Sequence, residues 1–117
     1  MSDSFTITLV EQADPAVVLR VAGRLEASGA QVLQTRCRDL VDQGSRRLVL
    51  DMSAVSFISS SGLGVLLLLT EDLRGLRGEL VIAAAHQSVL EVLDLLNLDQ
   101  FLLLAPSVEE ALSAQKA

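Results

Sequence analysis

Leu48-Val49-Leu50-Asp51-Met52-Ser53-Ala54-Val55-Ser56-Phe57-Ile58-Ser59-Ser60-Ser61-Gly62-Leu63-Gly64 is the stretch on which the fold turns. From Arg47 to Met52 the apolar run is broken only by Asp51, the pattern of a central parallel strand buried on both faces. Ser53 to Ser59 reads as a short loop. Three consecutive serines, Ser59 to Ser61, then open a strongly apolar helix from about Gly62 to Leu73. A helix N-terminus carries unsatisfied backbone N–H groups and the positive end of the peptide dipole, so it tolerates an anion, commonly a phosphate. Hydroxyls at that point serve either as a cap or as a phosphorylation switch.

Working outward, Phe5 to Val10 alternates apolar and polar residues, the period of a half-buried strand. Asp14-Pro15 marks a turn, and Ala16 to Ala22 reads as a second strand, antiparallel to the first. Gly23 to Ala27 reads as a connection. Ser28 with Gln31 fits a capping box, followed by Ala30, Leu33, Cys37, Leu40 and Val41 on one helical face and a stop at Gly44. Beyond the apolar helix, Arg74 to Gly78 is a turn and Glu79 to Ala85 a buried strand. Ser88 and Glu91 form a second capping pattern for a helix running to Leu96, with Asn97 as its stop. Phe101 to Leu104 is a short strand. Pro106-Ser107 with Glu110 starts a last helix carrying Val108, Ala111 and Leu112 on one side.

This order, β-β-α-β-α-β-α-β-α, predicts an α/β fold. Its sheet is mixed, mostly parallel and four- to five-stranded, with about four helices packed mainly on one face. Residues 1–117 form one domain, with loose ends at about 1–4 and 113–117.

Half of the 117 residues are apolar, and Trp and Tyr are absent, so the core is built from Leu, Val, Ile and Ala. A net charge of −6 and only three Phe, all in apolar contexts, argue against a nucleic-acid partner. Cys37, the single cysteine, rules out an internal disulfide and reads as a buried core residue. Met1 to Ser4 lacks the basic and apolar regions of a signal peptide. Leu63 to Leu69 is far shorter than the ~20 residues of a membrane span. The expectation is a cytoplasmic protein without membrane insertion.

Most catalytic chemistry lacks its ingredients. His86 is the only histidine and reads as solvated or capping; with one cysteine beside it no metal cluster is expected. Neither a nucleophile elbow nor a phosphate loop is present, and Gly62-x-Gly64 is only a fragment of a dinucleotide fingerprint. No cofactor and no enzymatic activity are expected. Leu63, Leu66, Leu67, Thr70 and Leu73 can face the sheet, leaving Val65, Leu68 and Leu69 partly elsewhere. The helix is then either buried all round or presents an apolar patch to a partner.

Phe57-Ile58-Ser59-Ser60-Ser61-Gly62-Leu63-Gly64-Val65-Leu66, preceded by Leu50-Asp51-Met52-Ser53, resembles the signature of the STAS domain, most of all the free-standing bacterial anti-sigma factor antagonists. Gly23-Arg24-Leu25-Glu26 is similar to the Gly-Glu-Leu-Asp segment that opens the first long helix in that family. The resemblance implies partner switching. The unphosphorylated antagonist binds an anti-sigma factor that is also a serine kinase and so frees the sigma factor. Phosphorylation breaks that complex, and a serine phosphatase restores it. By position the acceptor is Ser60, with Ser59 and Ser61 as alternatives. The implied partner surface comprises Glu26, Ser59 to Ser61, Gly62, Leu63, Gly64, Val65, Leu68 and Leu69. The common family pattern places Asp directly before the acceptor, where this chain has Ser59. The alternative within the same fold is a STAS subunit of an ABC-type lipid or anion transport system, bound to its ATPase at the inner membrane face.

Overall fold

Spatial order in the sheet follows chain order. In the computed structural model, which describes residues 5–13 and 16–113, β1 (Thr6–Ala13) pairs antiparallel with β2 (Ala16–Leu25). β3 (Arg47–Ile58), β4 (Glu79–Ala83) and β5 (Leu103–Ala105) then add in parallel. Parallel neighbours need crossovers. These are α1 (Ala27–Asp42), α2 (Ser60–Gly75), and α3 (Gln87–Leu95) with a 3-10 turn at Leu98–Gln100; α4 (Val108–Ser113) follows β5. The α/β architecture, the five-stranded mixed sheet and the four helices are those the sequence predicts.

Strand alternation divides the core in two. Leu19, Val21, Leu48, Leu50, Met52, Leu80 and Ile82 pack with residues of α1, α2 and α3. Val18, Val49, Val81 and Ala83 lie on the opposite face against Ala111 of α4, with Val108 and Leu112 packed around them. Three helices therefore share one face, and β3 is buried on both. On α1, Leu33 and Cys37 are fully buried; burial pushes the Cys37 thiol up to about 12, which keeps it protonated and inert.

Several boundaries differ from the sequence reading. β2 continues to Leu25 and β3 to Ile58, through segments expected to be a connection and a loop. The two strands extend as a pair, Ala22↔Ala54 to Leu25↔Ile58, with register shifts between Arg20 and Ala22 and between Gly23 and Arg24. Such irregularities break the two-residue period that identifies a strand. Gly23 sits at the second with φ +109, a backbone that a side chain would strain.

α1 begins at Ala27 behind Glu26, which makes no side-chain cap, and Ser28 lies inside the first turn, so the Ser28–Gln31 box does not form. α3 begins behind His86, and the Ser88–Glu91 box is likewise absent. β4 stops at Ala83 because Ala84 turns left-handed, and β5 starts two residues later than expected. Gly44 and Asn97 do adopt the left-handed conformation expected of helix stops. The Ser107 hydroxyl accepts the Glu110 N–H at 3.0 Å and so opens α4 as expected. Ser113, expected to be loose, closes that helix. The turn expected at Asp14-Pro15 and the segments 1–4 and 114–117, expected to be loose, lie outside the described residues.

Asp51 is the one buried carboxylate among the described residues. Burial pushes its pKa up. The Ser53 backbone N–H (3.0 Å), the Ser53 hydroxyl (2.8 Å) and the Arg20 guanidinium (3.3 Å) outweigh burial and hold the carboxyl below its ordinary value. A carboxylate with a depressed folded pKa stabilises the fold above its unfolded pKa of ~3.9 and loses that contribution as pH falls through the folded value. Urea midpoints measured between pH 7 and pH 3 are therefore expected to fall for the parent chain. Asp51→Asn should be less stable at pH 7 and show a shallower loss on acidification. Parallel curves for the two proteins would contradict this role for Asp51.

Candidate functional site

The end of β3 leads straight into α2, and one backbone oxygen organises the junction. The Leu25 carbonyl accepts the Ser59 N–H at 3.0 Å and the Ser59 hydroxyl at 3.3 Å. The Ser59 oxygen in turn accepts the Gly62 N–H at 3.2 Å, which makes Ser59 the N-cap of α2. Its hydroxyl is engaged as both donor and acceptor. Ser60 and Ser61 occupy the first helical positions, both exposed, with no hydrogen bond from either hydroxyl among the described residues. The three serines thus divide into one cap and two open hydroxyls at the positive end of a helix dipole.

Gly62 is buried for a packing reason. A Cβ there would come within 2.7 Å of the Leu25 carbonyl oxygen and 2.9 Å of the Ile58 and Leu25 side chains. Gly64, one position past Leu63, is exposed and faces open space.

The buried stripe of α2 comprises Leu63, Leu66, Leu69, Thr70 and Leu73. Leu69, expected on the partner side, is only 1% exposed and offers no contact area. The reason is α1, which packs alongside α2 and widens its covered face; the Arg38–Asp72 ion pair at 3.2 Å joins the two helices. Gly62 and Leu63 are also inside. Leu67, expected against the sheet, is half-buried, as is Val65. Leu68 is 40% exposed. The accessible remainder of the expected surface is Glu26, Ser60, Ser61, Gly64, Leu68 and the open part of Val65.

Two neighbours escaped the sequence reading. Phe57, in the segment expected to be a loop, lies in β3 and is 39% exposed, and the Arg24 guanidinium stacks 4.2 Å above its ring. Arg24 also pairs with Glu26 at 2.7 Å. The pairing Arg24↔Phe57 sets them side by side, and it depends on the register shift just before Arg24, which no local pattern announces. Glu26 leads into α1 and Ser59 into α2, so two helix N-termini emerge together where β2 and β3 end. In open α/β sheets this carboxyl edge is the usual place for a site.

Other chemistry is sparse. The His86 ring is held on the Ser53 carbonyl. Among the described residues no group of three His, Cys, Asp or Glu could hold a metal, and no helix is long and apolar enough to cross a membrane.

The STAS domain model matches residues 8–111 of the chain. A Bordetella bronchiseptica protein named as anti-sigma factor antagonist BtrV is 33% identical over 107 residues, 92% of each chain. The crystal structure of an anti-sigma factor antagonist from Mycobacterium paratuberculosis superposes with a TM-score of 0.83 at 29% identity, covering 96% of both chains. SpoIIAA of Bacillus, an anti-sigma factor antagonist, shares the fold in both its solved forms. The unphosphorylated form gives a TM-score of 0.77 at 21% identity over 95% of each chain. The phosphorylated form gives 0.70 at 20% identity over 95% of this chain and 98% of that one.

The cap assignment has a measurable consequence. Ser59→Ala removes the acceptor for the Gly62 N–H and should destabilise the domain by about 1 kcal/mol in urea unfolding, whereas Ser59→Asp, an equally good cap, should not. Equal loss in both would mean that the hydroxyl's donation to Leu25 matters more than its capping. Gly62→Ala should cost about 1–3 kcal/mol by overpacking, while Gly64→Ala should stabilise by about 0.5–1 kcal/mol through higher helix propensity.

Proposed function

Because the chain belongs to the STAS-domain family of anti-sigma factor antagonists, we propose that it is a partner switch whose acceptor is Ser60. Unphosphorylated, it binds an anti-sigma factor that is also a serine kinase, and so frees a sigma factor in the cytoplasm. The kinase brings the ATP. The Ser60 hydroxyl oxygen attacks the γ-phosphorus, the bond to the ADP oxygen breaks, and the hydroxyl proton passes to a base on the kinase. A serine phosphatase reverses the modification by hydrolysis.

The observation that carries this reading is the division of labour among the serines. Ser59 already caps α2 with its hydroxyl, so phosphate there would disturb the helix start. Ser60 is exposed in the first turn. A phosphate on it adds about −1.5 to −2 charges where the helix dipole favours negative charge, so the fold is retained. The same charge lands at the end of α2 that carries Gly64 and Val65, where Glu26 follows the Leu25 carbonyl bound by Ser59; Leu68 lies about two turns further along the helix. A partner seated on that surface would meet new bulk and repulsion. Where the family commonly has Asp before the acceptor, Ser59 supplies an equivalent cap without its charge.

Tagged Ser60→Ala protein, used as bait in a lysate of its own host, is expected to recover an anti-sigma factor with a kinase fold. The purified pair then permits titration. Ser60→Ala should retain the circular-dichroism spectrum and bind as tightly as the parent. Ser60→Asp should bind at least tenfold more weakly, about 1.4 kcal/mol. Phosphopeptide mapping after incubation with ATP should place the modification on Ser60. Unchanged affinity of Ser60→Asp, or phosphate on Ser59 or Ser61 alone, would refute the assignment. Recovery of transporter subunits would replace the function with the transport-linked one.

A further inference from the structure

Residues 79–113 contain six carboxylates and no lysine or arginine, so this segment holds as much negative charge as the whole chain nets at −6. Glu79 is paired with Arg47 at 3.0 Å. Glu91, Asp94, Asp99, Glu109 and Glu110 are exposed, and none of them has a cationic partner among the described residues. The same segment exposes five large apolar side chains within ten residues. Leu95 is 81% and Phe101 53% accessible, and Leu96, Leu103 and Leu104 are exposed with them. Isolated exposed leucines are ordinary, but Leu95, Leu96 and Phe101 fall together at the end of α3 and the 3-10 turn, while Leu103 and Leu104 alternate to opposite faces of β5. A groove of about 460 Å³ runs between α3 and β5, with Leu90 and Leu104 among its walls. β5, only three residues long, is one of the two edge strands of the sheet.

We infer that this face docks a basic amphipathic helix of a partner protein, and that it does so independently of Ser60. Leu95, Phe101 and the groove walled by Leu90 and Leu104 match the hydrophobic stripe of such a helix, and Glu91, Asp94 and Asp99 of α3 and the 3-10 turn match flanking lysines or arginines; Glu109 and Glu110 belong to α4 on the opposite sheet face and take no part. The charge selects against other occupants. A second copy using the same face would set these carboxylates against their own kind. Anionic lipid and nucleic acid are repelled outright. The face belongs to α3 and the edge strand β5, whereas Ser60 follows the central strand β3. Phosphate at one leaves the other unchanged.

The test titrates ¹⁵N-labelled full-length chain with three synthetic peptides: an amphipathic Leu/Lys helix, a Leu/Glu helix, and a Leu/Lys peptide of the same composition in scrambled order. Only the first is expected to shift amides within residues 84–105. The doubles Leu95→Ser/Phe101→Ser and Asp94→Lys/Asp99→Lys should each weaken binding at least tenfold. All four side chains are exposed, so both variants should keep their thermal melts. If the apolar double does not fold, the charge-reversal double decides. Ser60→Asp should bind the peptide as the parent does, which separates this surface from the phosphorylation switch. Shifts centred on residues 57–65, equal binding of the scrambled peptide, or undiminished affinity in the variants would overturn the proposal. So would a sedimenting dimer that Phe101→Ser abolishes, because a second copy would then be the occupant.

Discussion

The Leu25 carbonyl is the constraint on which the site depends. It ends the paired extension of β2 and β3, receives both the backbone N–H and the hydroxyl of Ser59, and crowds the position where Gly62 has no side chain. A buried carbonyl needs a partner. Here that partner also starts a helix, so the requirement for hydrogen bonding fixes the direction of α2 and turns Ser60 and Ser61 outward. The cap is therefore part of the tertiary structure and not a local preference of three serines.

This arrangement separates the groups that hold the fold from the hydroxyls left open. The groups that hold the junction, Ser59, Gly62 and Leu63, have their contacts inside the domain. The exposed hydroxyls contribute little to the fold and are open to modification. A dianionic group can be added at the helix start because the dipole and the free N–H groups there favour it. The neighbouring Arg24–Phe57 stack, tied to Glu26, gives the same edge a shaped and partly apolar surface.

Charge is distributed with similar asymmetry. Eight of the nine cations lie before β4, and five of them, Arg20, Arg24, Arg38, Arg74 and Arg47, pair with Asp51, Glu26, Asp72, Glu71 and Glu79. The carboxylates of α3, the 3-10 turn and α4 have no such partners among the described residues. Self-repulsion at that end opposes folding slightly, and its exposed leucines gain nothing from the core. Both features are compatible with a face completed by another molecule.

The order of elements, the sheet class and the central strand were legible in the chain, because hydrophobic period and length are local signals: Leu48 to Leu50, the Ala30-Leu33-Cys37 face, and the stops at Gly44 and Asn97. The serine motif was legible too, with the family it resembles. The tertiary structure decided the rest. Ser53 to Ile58 reads as a loop until its pairing with Ala22 to Leu25 is known, since register shifts erase the alternation. Ser28 and Ser88 read as caps until neighbouring strands place the helix starts at Glu26 and His86. Leu69 reads as surface until α1 covers it, and Phe57 reads as part of a loop until the shifted register sets it beside Arg24. Residue type and spacing record what a segment buries on average, but which serine caps and which stays open depends on a carbonyl more than thirty residues away.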